Sequence, residues 1–553
     1  MSDVHSASAP KPRARFGGYA ALVAAGILLS RIAGLVRTRV MAHYLGNSRA
    51  ADAFAAALKV PNFLQNLFGE GVLSASFIPV YARTLARGEE ELAGRIAGVI
   101  VTIIMLVTSI FVLIGVLLTP MLIGVIAPGF EGDVRILTIR LVRILFPGTG
   151  ILVLSAWCLG ILNSHKKFFI SYVAPVLWNA AMVATLVIFG TRLRESQLVI
   201  ALAWGTVVGC ALQFGIQVPF VLRSAKHLKF GLEIFDEIRD VFRSFAPIVV
   251  GRGVVQLSAY IDQIIATLLP TGAVICLTYA QTIYLLPISL FGMSVAAAEL
   301  PEMAGEVGDE EKVKAALRAR LGRGLRQISF FVVPTVVAFV AIGDLLIGAI
   351  LQTGKFTPEV TRYVWYILAG STVGLLAATL GRLYSSAFYA LRDTKTPLKF
   401  ATVRVILTGG LGYLFALPLR PVIIDIIQLL HMPIPKVAGG TAALGAVGLT
   451  ASAGVAGWVE FLLLRRAMQS RIGRIEPAGA FELKLWIAAI AGGVIGVAAD
   501  RLALRALLRH VPFHTILGAA IVSGIFGATY FIVAAVLGIG EVRGFLSRFK
   551  SRG

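Results

Sequence analysis

Charged side chains are scarce in this chain. Lys, Arg, Asp and Glu make up only 14% of its 553 residues, whereas 57% of the residues are hydrophobic and the mean hydropathy is +0.84. A water-soluble protein of this length needs far more polar side chains to cover its surface. The shortage of charge therefore argues against a soluble fold. Apolar runs of about 20 residues, long enough to cross a bilayer, recur along the whole chain.

Cysteine is also rare, and the common enzyme motifs are missing. Cys158, Cys210 and Cys276 share no CxxC spacing and lie in apolar runs, which favours small buried side chains over a disulfide or metal framework. The enzyme motifs HExxH and GxSxG and the Walker loop do not occur in the sequence. The histidines are not spaced as metal ligands are. We expect a transporter with no catalytic residue, metal or cofactor. Coupling to the membrane potential or to a monovalent cation stays open.

Acidic residues are fewer than basic ones, 29 against 51, which gives a formal net charge of +22. No nucleic-acid motif accompanies this excess. Most Lys and Arg residues fall in alternate short loops, which is the positive-inside pattern. We therefore expect an all-α polytopic membrane protein with about fourteen transmembrane helices. Both termini would be cytoplasmic, and the basic loops would contact anionic phospholipids.

An internal repeat suggests how the helices are organised. Segments 59–82 and 284–304 each place a proline in mid-helix, then Leu-Phe-Gly, small residues and a second proline. Two parallel six-helix lobes would suit a transporter that rocks about a central cavity. The predicted parts are a cytoplasmic tail (1–15), an N-lobe (16–222), a cytoplasmic amphipathic linker (223–242), a C-lobe (243–468), two further helices (469–540) and a basic C-terminal tail (541–553).

The predicted membrane spans give these parts their boundaries. They are 16–44, 51–82, 96–127, 134–162, 168–190, 197–222, 243–269, 273–300, 325–351, 361–390, 398–419, 438–465, 482–503 and 513–538. The segments 231–243 and 311–326 resemble amphipathic interfacial helices.

The first span carries arginines that a lipid-facing helix would not tolerate. Arg31 lies about 15 residues into the span, near mid-membrane by the helical rise per residue. Ser30, Gly34 and Arg37 share one face, with Arg31 beside it. A charge at this depth costs about 2–3 kcal/mol on insertion scales, so these side chains should face water or an anion. An arginine-rich cavity would suit a phosphate or pyrophosphate, which guanidinium groups bind bidentately.

The second span adds further polar groups. Asn47 or Ser48 caps it, and Asp52 lies in an early turn, where the helix dipole favours an acid. Lys59, Asn62 and Glu70 follow, with Lys59 on the Asp52 face. The first two spans would thus supply Arg, Lys, Asp and Glu to one interior. Alternatively, these charges form buried ion pairs that lock the two helices together.

The seventh span holds Arg252 and Asp262 on roughly one face. Asp262 is a candidate cation ligand, or the counter-ion of Arg252. The segments QTGKFT (352–357) and LRDTKTPLK (391–399) lie in loops and indicate turns, helix caps and lysines at the membrane surface.

At these residues the sequence resembles a known family. The stretch 30–83 is similar to the opening of the MurJ (MviN) lipid II flippases of the MOP exporter superfamily. The likeness continues through 160–179, 268–292, 351–359 and 392–401 and covers about the whole chain. Its most specific parts are the first block and the GKFT and DTKTP segments.

The resemblance implies a fold, an activity and a set of site residues. The fold would be two six-helix lobes facing a cationic cavity, with the last two helices forming a groove for a lipid tail. The activity would be the transfer of lipid II, the undecaprenyl-pyrophosphate-linked peptidoglycan precursor, from the inner to the outer leaflet of the bacterial cytoplasmic (inner) membrane by alternating access. Ser30, Arg31 and Arg37 match the cavity residues, and Asp52 matches the essential acid of the second helix.

This sequence departs from the family at several cavity positions. Gln65 and Asn66 stand where the family often has a basic pair, and Thr282 stands where an arginine is expected. Thr38 replaces an acid that often follows the second arginine of the first helix. Arg252 is a candidate replacement for the missing positive charge.

Three readings of function follow. The chain flips lipid II with an altered cavity, or it flips another polyprenyl-linked saccharide, or it is a scaffold or regulatory homologue that has lost transport. Substrate competition separates the first two, and transport in proteoliposomes would exclude the third. Other cell-wall synthesis proteins are candidate partners.

Overall fold

The computed structural model describes residues 14–68, 70–296, 299, 303, 310–391, 393–475, 479–504 and 514–542. All regular elements within these ranges are helical. The α-helices are α1 (Ala14–Leu45), α2 (Arg49–Phe68), α3 (Glu70–Ala86), α4 (Glu90–Leu117), α5 (Thr119–Ile126), α6 (Gly132–Ser164), α7 (Phe168–Phe189), α8 (Glu195–Ser224), α9 (Asp236–Thr267), α10 (Ala273–Pro287), α11 (Glu310–Ala341), α12 (Gly343–Leu351), α13 (Pro358–Ala390), α14 (Lys395–Ala416), α15 (Arg420–Leu429), α16 (Gly445–Ile472), α17 (Gly479–Ala499) and α18 (His514–Val536).

Many of these helices are long and apolar enough to cross a membrane. Among the residues described, 11 helical segments meet that requirement, which confirms the all-α, multi-pass prediction. The three other predicted spans coincide with α1, with α2 and α3, and with α9. These are the helices that carry the predicted site residues. The total of about fourteen spans stays a prediction.

Two compact units divide the chain. Unit 1 contains the chain up to Val40, Ala57–Thr119 and Ile139–Val250. Unit 2 contains Met41–Ala56, Pro120–Thr138 and the chain from Gly251 onward. These bounds differ from those of the predicted lobes, because two short segments of the N-terminal half belong to unit 2. The lobes 16–222 and 243–468 stay predictions.

Unit 1 has an apolar core built mainly from α3, α4 and α6. Phe77, Tyr81, Ile96 and Trp157 are buried in one cluster, which also contains Ile238 from the start of α9. The Trp157 ring nitrogen donates to the Ala97 carbonyl oxygen at 3.2 Å, so this large side chain is both packed and hydrogen-bonded.

Unit 2 brings its helices together through small residues. Gly374 of α13 lies so close to Gly454 of α16 that a Cβ on Gly374 would stand 2.5 Å from the Gly454 Cα. Only glycine permits such an approach of two helix backbones. The C-terminal helices α17 and α18 pack on each other and on α11 and α12, where Phe526, Val522 and Ile342 form a buried cluster. The lipid-tail groove implied for these helices stays a prediction.

Two predicted spans are each interrupted in the structure. The span 96–127 is split at Leu118 into α4 and α5, because Pro120 has no backbone N–H and suits only the first turn of a new helix. The span 325–351 is split at Ile342, just before Gly343. The segment 311–326 is not a separate interfacial helix, because α11 runs unbroken from Glu310 to Ala341.

The amphipathic helix predicted for 231–243 is also partly wrong. Residues 227–235 are not helical, and α9 begins only at Asp236. Apolar residues alternate through Phe230, Leu232 and Ile234, and Gly231 lies between them. This period of two fits an extended chain better than a helix.

Candidate functional site

The arginines of α1 lie in unit 1 and differ in exposure. Arg31 is exposed, whereas Ser30 and Arg37 are half-buried. The Arg37 guanidinium lies over the ring of Trp178 from α7, with its central carbon 5.1 Å from the ring centroid. This cation–π contact holds Arg37 in place while Arg31 stays accessible.

Three buried polar atoms belong to the two residues of this contact and to Asn179, the next residue of α7. Arg37 Nε, Trp178 Nε1 and Asn179 Oδ1 have no hydrogen-bond partner in the part of the chain that the structure describes. The Asn179 amide nitrogen donates to the Pro175 carbonyl oxygen at 2.9 Å, which fixes the side-chain orientation. Buried polar atoms normally have partners, so these atoms fit a polar ligand or water. Sequence reasoning missed Trp178 and Asn179, although both lie inside the predicted span 168–190.

Asp52 has a different environment, inside unit 2. Its carboxylate is buried and accepts backbone N–H bonds from Gly272 at 2.5 Å and from Ile275 at 2.8 Å. These amides begin α10, so Asp52 caps a helix that is distant in the sequence and complements its dipole. Ser48 caps α2 by accepting from the Ala51 amide at 3.2 Å, as predicted.

The GKFT loop packs on the end of α1 in the same unit. The Lys355 amide donates to the His43 carbonyl oxygen at 2.8 Å, and the His43 ring nitrogen Nδ1 lies 2.8 Å from Thr353 Oγ1. Gly354 has a φ of +54° and leaves no room for a Cβ against His43, so glycine is required there. This specific motif therefore positions a turn of the backbone.

A cavity of 180 Å³ opens beside Asp52, lined by Arg49, Glu131, Thr267 and Thr271 among others. It is smaller than the roughly 300–1,000 Å³ of typical ligand sites. We do not assign a lipid head group to it.

The remaining predicted residues are only partly described. Lys59 and Asn62 are half-buried in unit 1, and Asp262 is half-buried in unit 2. The side chains of Glu70 and Arg252 lie outside the described set. Arg31 and Arg37 thus share unit 1, whereas Asp52 and Asp262 belong to unit 2.

Unit 2 contains two membrane arginines that sequence reasoning missed. Arg404 pairs with Glu460 at 3.1 Å, and Arg382 is exposed. Tyr284 lies within electrostatic range of both arginines and of Asp262. Charges inside the predicted spans 361–390 and 398–419 were the signal for this cluster, because charged residues in membrane helices mark functional or paired positions.

Two of the family departures make local bonds in the part of the chain that the structure describes. Thr38 Oγ1 donates to the Gly34 carbonyl oxygen at 2.9 Å, and Thr282 Oγ1 donates to the Thr278 carbonyl oxygen at 2.9 Å. Each hydroxyl proton is thus bound within its own helix. Neither threonine replaces the charge of the family residue.

The DTKTP segment forms a helix cap between α13 and α14. Asp393 accepts from the amides of Lys395 and Thr396 at 3.0 Å each, and from the Thr396 hydroxyl at 2.7 Å. Arg471 donates to the same carboxylate at 2.5 Å and also lies over the Phe388 ring. The hydrogen bonds from Thr396, and then the Arg471 charge, lower the pKa of Asp393 to about 2. The predicted cap is confirmed.

Comparison with known proteins adds to this geometry. The sequence profile of the family described as "Lipid II flippase MurJ" matches residues 41–516. The chain is 30% identical to a "Probable lipid II flippase MurJ" of Rhizobium meliloti, over 94% of this chain and 93% of that protein. It is 28% identical to the "Lipid II flippase MurJ" of Burkholderia cenocepacia, over 82% of this chain and 83% of that protein.

Solved structures share the fold. One, described as "Lipid II flippase MurJ, inward closed conformation", has a TM-score of 0.74 at 21% identity and covers 93% of this chain and 98% of its own. A multidrug resistance MATE transporter of the MOP superfamily has a TM-score of 0.59 at 17% identity, over 82% of this chain and 98% of its own. At these identities the likeness concerns the fold alone.

Proposed function

We propose, because this chain belongs to the MurJ family of lipid II flippases, that it moves lipid II from the inner to the outer leaflet of the bacterial cytoplasmic membrane. The observation that carries this proposal is the family match over residues 41–516, which extends from the end of α1 into the last helix. Related proteins from several bacteria carry the same description, which supports it. Alternating access is the proposed mechanism, and both termini would be cytoplasmic.

The proposed head-group contact begins at α1. Ser30, Arg31 and Arg37 would bind the pyrophosphate, since guanidinium groups form paired, charge-assisted hydrogen bonds with phosphate oxygens. Arg37 is held over Trp178, so it would enter the contact already oriented. Asn179 would add a hydrogen bond from the neighbouring helix. Lys59, Asn62, Glu70 and Arg252 stay candidate contacts.

Within unit 2, Arg382 is a candidate source of the positive charge that the departure at Thr282 removes. Gln65 and Thr282 are neutral where the family has cations. Arg382 is exposed within a membrane helix, which makes it a better candidate for an anion contact than Arg404, whose charge is shared with Glu460. This assigns Arg382 the compensating role that the sequence suggested for Arg252.

Asp52 would act by holding the start of α10 rather than by touching substrate. Its two carboxylate oxygens already accept backbone amides, and it is buried. Asp262 lies, like Arg404 and Arg382, within electrostatic range of Tyr284, so we propose an ion-pair role for Asp262 rather than a bound cation. The membrane potential would then be the more direct driving force for an anionic substrate.

A competition assay with the purified full chain tests the substrate. Binding of labelled lipid II in detergent would be challenged with unlabelled lipid II, with undecaprenyl pyrophosphate and with a polyprenyl-pyrophosphate carrying another saccharide. We expect lipid II to compete best and undecaprenyl pyrophosphate to compete measurably through the shared pyrophosphate. If the polyprenyl-pyrophosphate with the other saccharide competes more strongly than lipid II, that lipid would be the substrate instead. Binding without transport in proteoliposomes would favour a scaffold.

A further inference from the structure

An extended segment between α8 and α9 exposes a row of apolar side chains. Phe230, Leu232 and Ile234 are 67%, 59% and 61% exposed, whereas a folded protein usually hides such residues when they lie side by side. They alternate with Gly231 and Glu233, so all three point to the same side of the extended chain. We call residues 229–235 the linker strand.

The opposite side of the linker strand is bound to unit 1. Arg95 of α4 pairs with Glu233 and also lies over the Phe235 ring, with its guanidinium carbon 5.0 Å from the centroid. Just before and within the strand, the carbonyl groups of His227 and Lys229 approach Gly94 and Gly98 of α4 too closely for any Cβ to fit. The strand is therefore held in a fixed register. Its apolar side faces outward because of that attachment.

The position along the chain places this apolar row at the edge of the membrane. Helix α8, a candidate membrane span, ends at Ser224, only a few residues before the strand. The apolar residue Leu222, in the last turn of α8, is 55% exposed as well, so the apolar surface of the span extends towards the strand.

Basic residues accompany the row. Arg223, Lys226 and Lys229 are exposed, and Lys166 and Lys167 come from the α6–α7 loop. The Lys167 ammonium group donates to Ser224 Oγ at 2.9 Å, which joins this loop to the end of α8. No acidic residue occurs between Glu195 and Glu233, and Glu233 is itself paired with Arg95. Such a basic cluster attracts the anionic headgroups of a cytoplasmic leaflet.

We propose that the linker strand is a membrane anchor, which inserts Phe230, Leu232 and Ile234 among the headgroups and upper acyl chains of an anionic leaflet. The interfacial zone suits it, because water there can hydrate the backbone groups that an unpaired strand leaves without partners. The flanking lysines and Arg223 would bind lipid phosphates. The anchor would fix the chain that connects α8 to α9, and it does not depend on which lipid is transported.

Nitroxide scanning of the full chain in nanodiscs tests the proposal. Single cysteines would be placed by Phe230→Cys, Leu232→Cys and Ile234→Cys, with Gly231→Cys and Glu233→Cys as matched controls on the other side of the strand. The natural cysteines are free and buried, and labelling of the parent chain gives the background. Collision rates with oxygen, which concentrates in lipid, and with a water-soluble nickel chelate report depth.

We expect a period of two. Labels at 230, 232 and 234 should meet oxygen more than nickel, and labels at 231 and 233 should show the reverse. The difference in oxygen and nickel access between the two sides should increase when phosphatidylglycerol is added to phosphatidylcholine. In a variant with both Lys226→Gln and Lys229→Gln, phosphatidylglycerol should increase this difference less. Equal nickel access on both sides would overturn the proposal in favour of a water-exposed strand. Exclusion of both reagents from 230, 232 and 234 would overturn it in favour of a protein partner.

Discussion

Arg37 differs from Arg31 in the contacts that it makes. It lies over Trp178 and close to buried polar atoms, whereas Arg31 is exposed. We predict that Arg37→Ala weakens lipid II binding about tenfold to a hundredfold, because charge-assisted hydrogen bonds contribute about 1.5–3 kcal/mol. Arg37→Lys should keep only part of the lipid II affinity, since lysine lacks the planar guanidinium group that binds two phosphate oxygens at once. Titration of labelled lipid II measures the affinity.

The control for this prediction is Arg192→Ala, which removes an exposed arginine from a loop and should leave affinity unchanged. Trp178→Phe keeps an aromatic surface beneath Arg37 and should lower affinity less than Arg37→Ala. An Arg37→Ala protein that is well folded and binds lipid II normally would remove Arg37 from the proposed contact.

Substitution of Asp52 should act on stability rather than on affinity. Asp52→Ala removes both acceptors of the Gly272 and Ile275 amides, and we expect a loss of about 1–3 kcal/mol because buried donors lose their partners. Asp52→Asn keeps one carbonyl acceptor and should lose less. Thermal unfolding of the purified proteins measures their stabilities, which should decrease from the parent to Asp52→Asn to Asp52→Ala. Equal stability of Asp52→Ala and the parent would contradict the capping role.

At the scale of elements, the α13–α14 connection should respond to acid. The pKa of Asp393 is lowered from 3.8 to about 2, so the folded state favours the carboxylate. Its stabilising contribution is complete above pH 3.8 and is lost as the pH falls towards 2. We predict that the protection of the Lys395 and Thr396 amides against hydrogen exchange, relative to the intrinsic exchange rate at each pH, falls over this interval.

The Asp393→Asn variant serves as the comparison for the acid response. It should exchange faster at neutral pH and show a much smaller change between pH 4 and 2, because its side chain does not titrate. If hydrogen exchange in this variant changes with pH as it does in the parent, groups other than Asp393 cause the acid response.

The sequence predicted local features of the helices better than contacts between distant residues. Apolar run length predicted most spans, and turn chemistry predicted the Ser48 and Asp393 caps, because these depend on residues close in the chain. The partner of Asp52 lies 220 residues away, so no local pattern indicated it. The linker strand was assigned to a helix because it runs directly into the amphipathic start of α9, although Phe230, Leu232 and Ile234 alternate with the period of two of an extended chain.

At the scale of the whole molecule, family membership and residue chemistry contribute different things. The match over 41–516 carries the fold and the activity class. The contacts of Arg37 and of Asp52 are the basis for the roles that we propose for these two residues. The sequence alone indicated an anion-handling transporter, and the head group came only from the resemblance.

Complementation in living cells tests whether this chain flips lipid II. The chain would be expressed in a bacterium depleted of its own lipid II flippase, and lipid II accessible on the outer leaflet would be scored. We predict that the chain restores outer-leaflet lipid II and growth, and that Arg31→Ala and Arg37→Ala do so poorly at equal membrane abundance. A well-inserted parent chain that restores neither would contradict the proposed function.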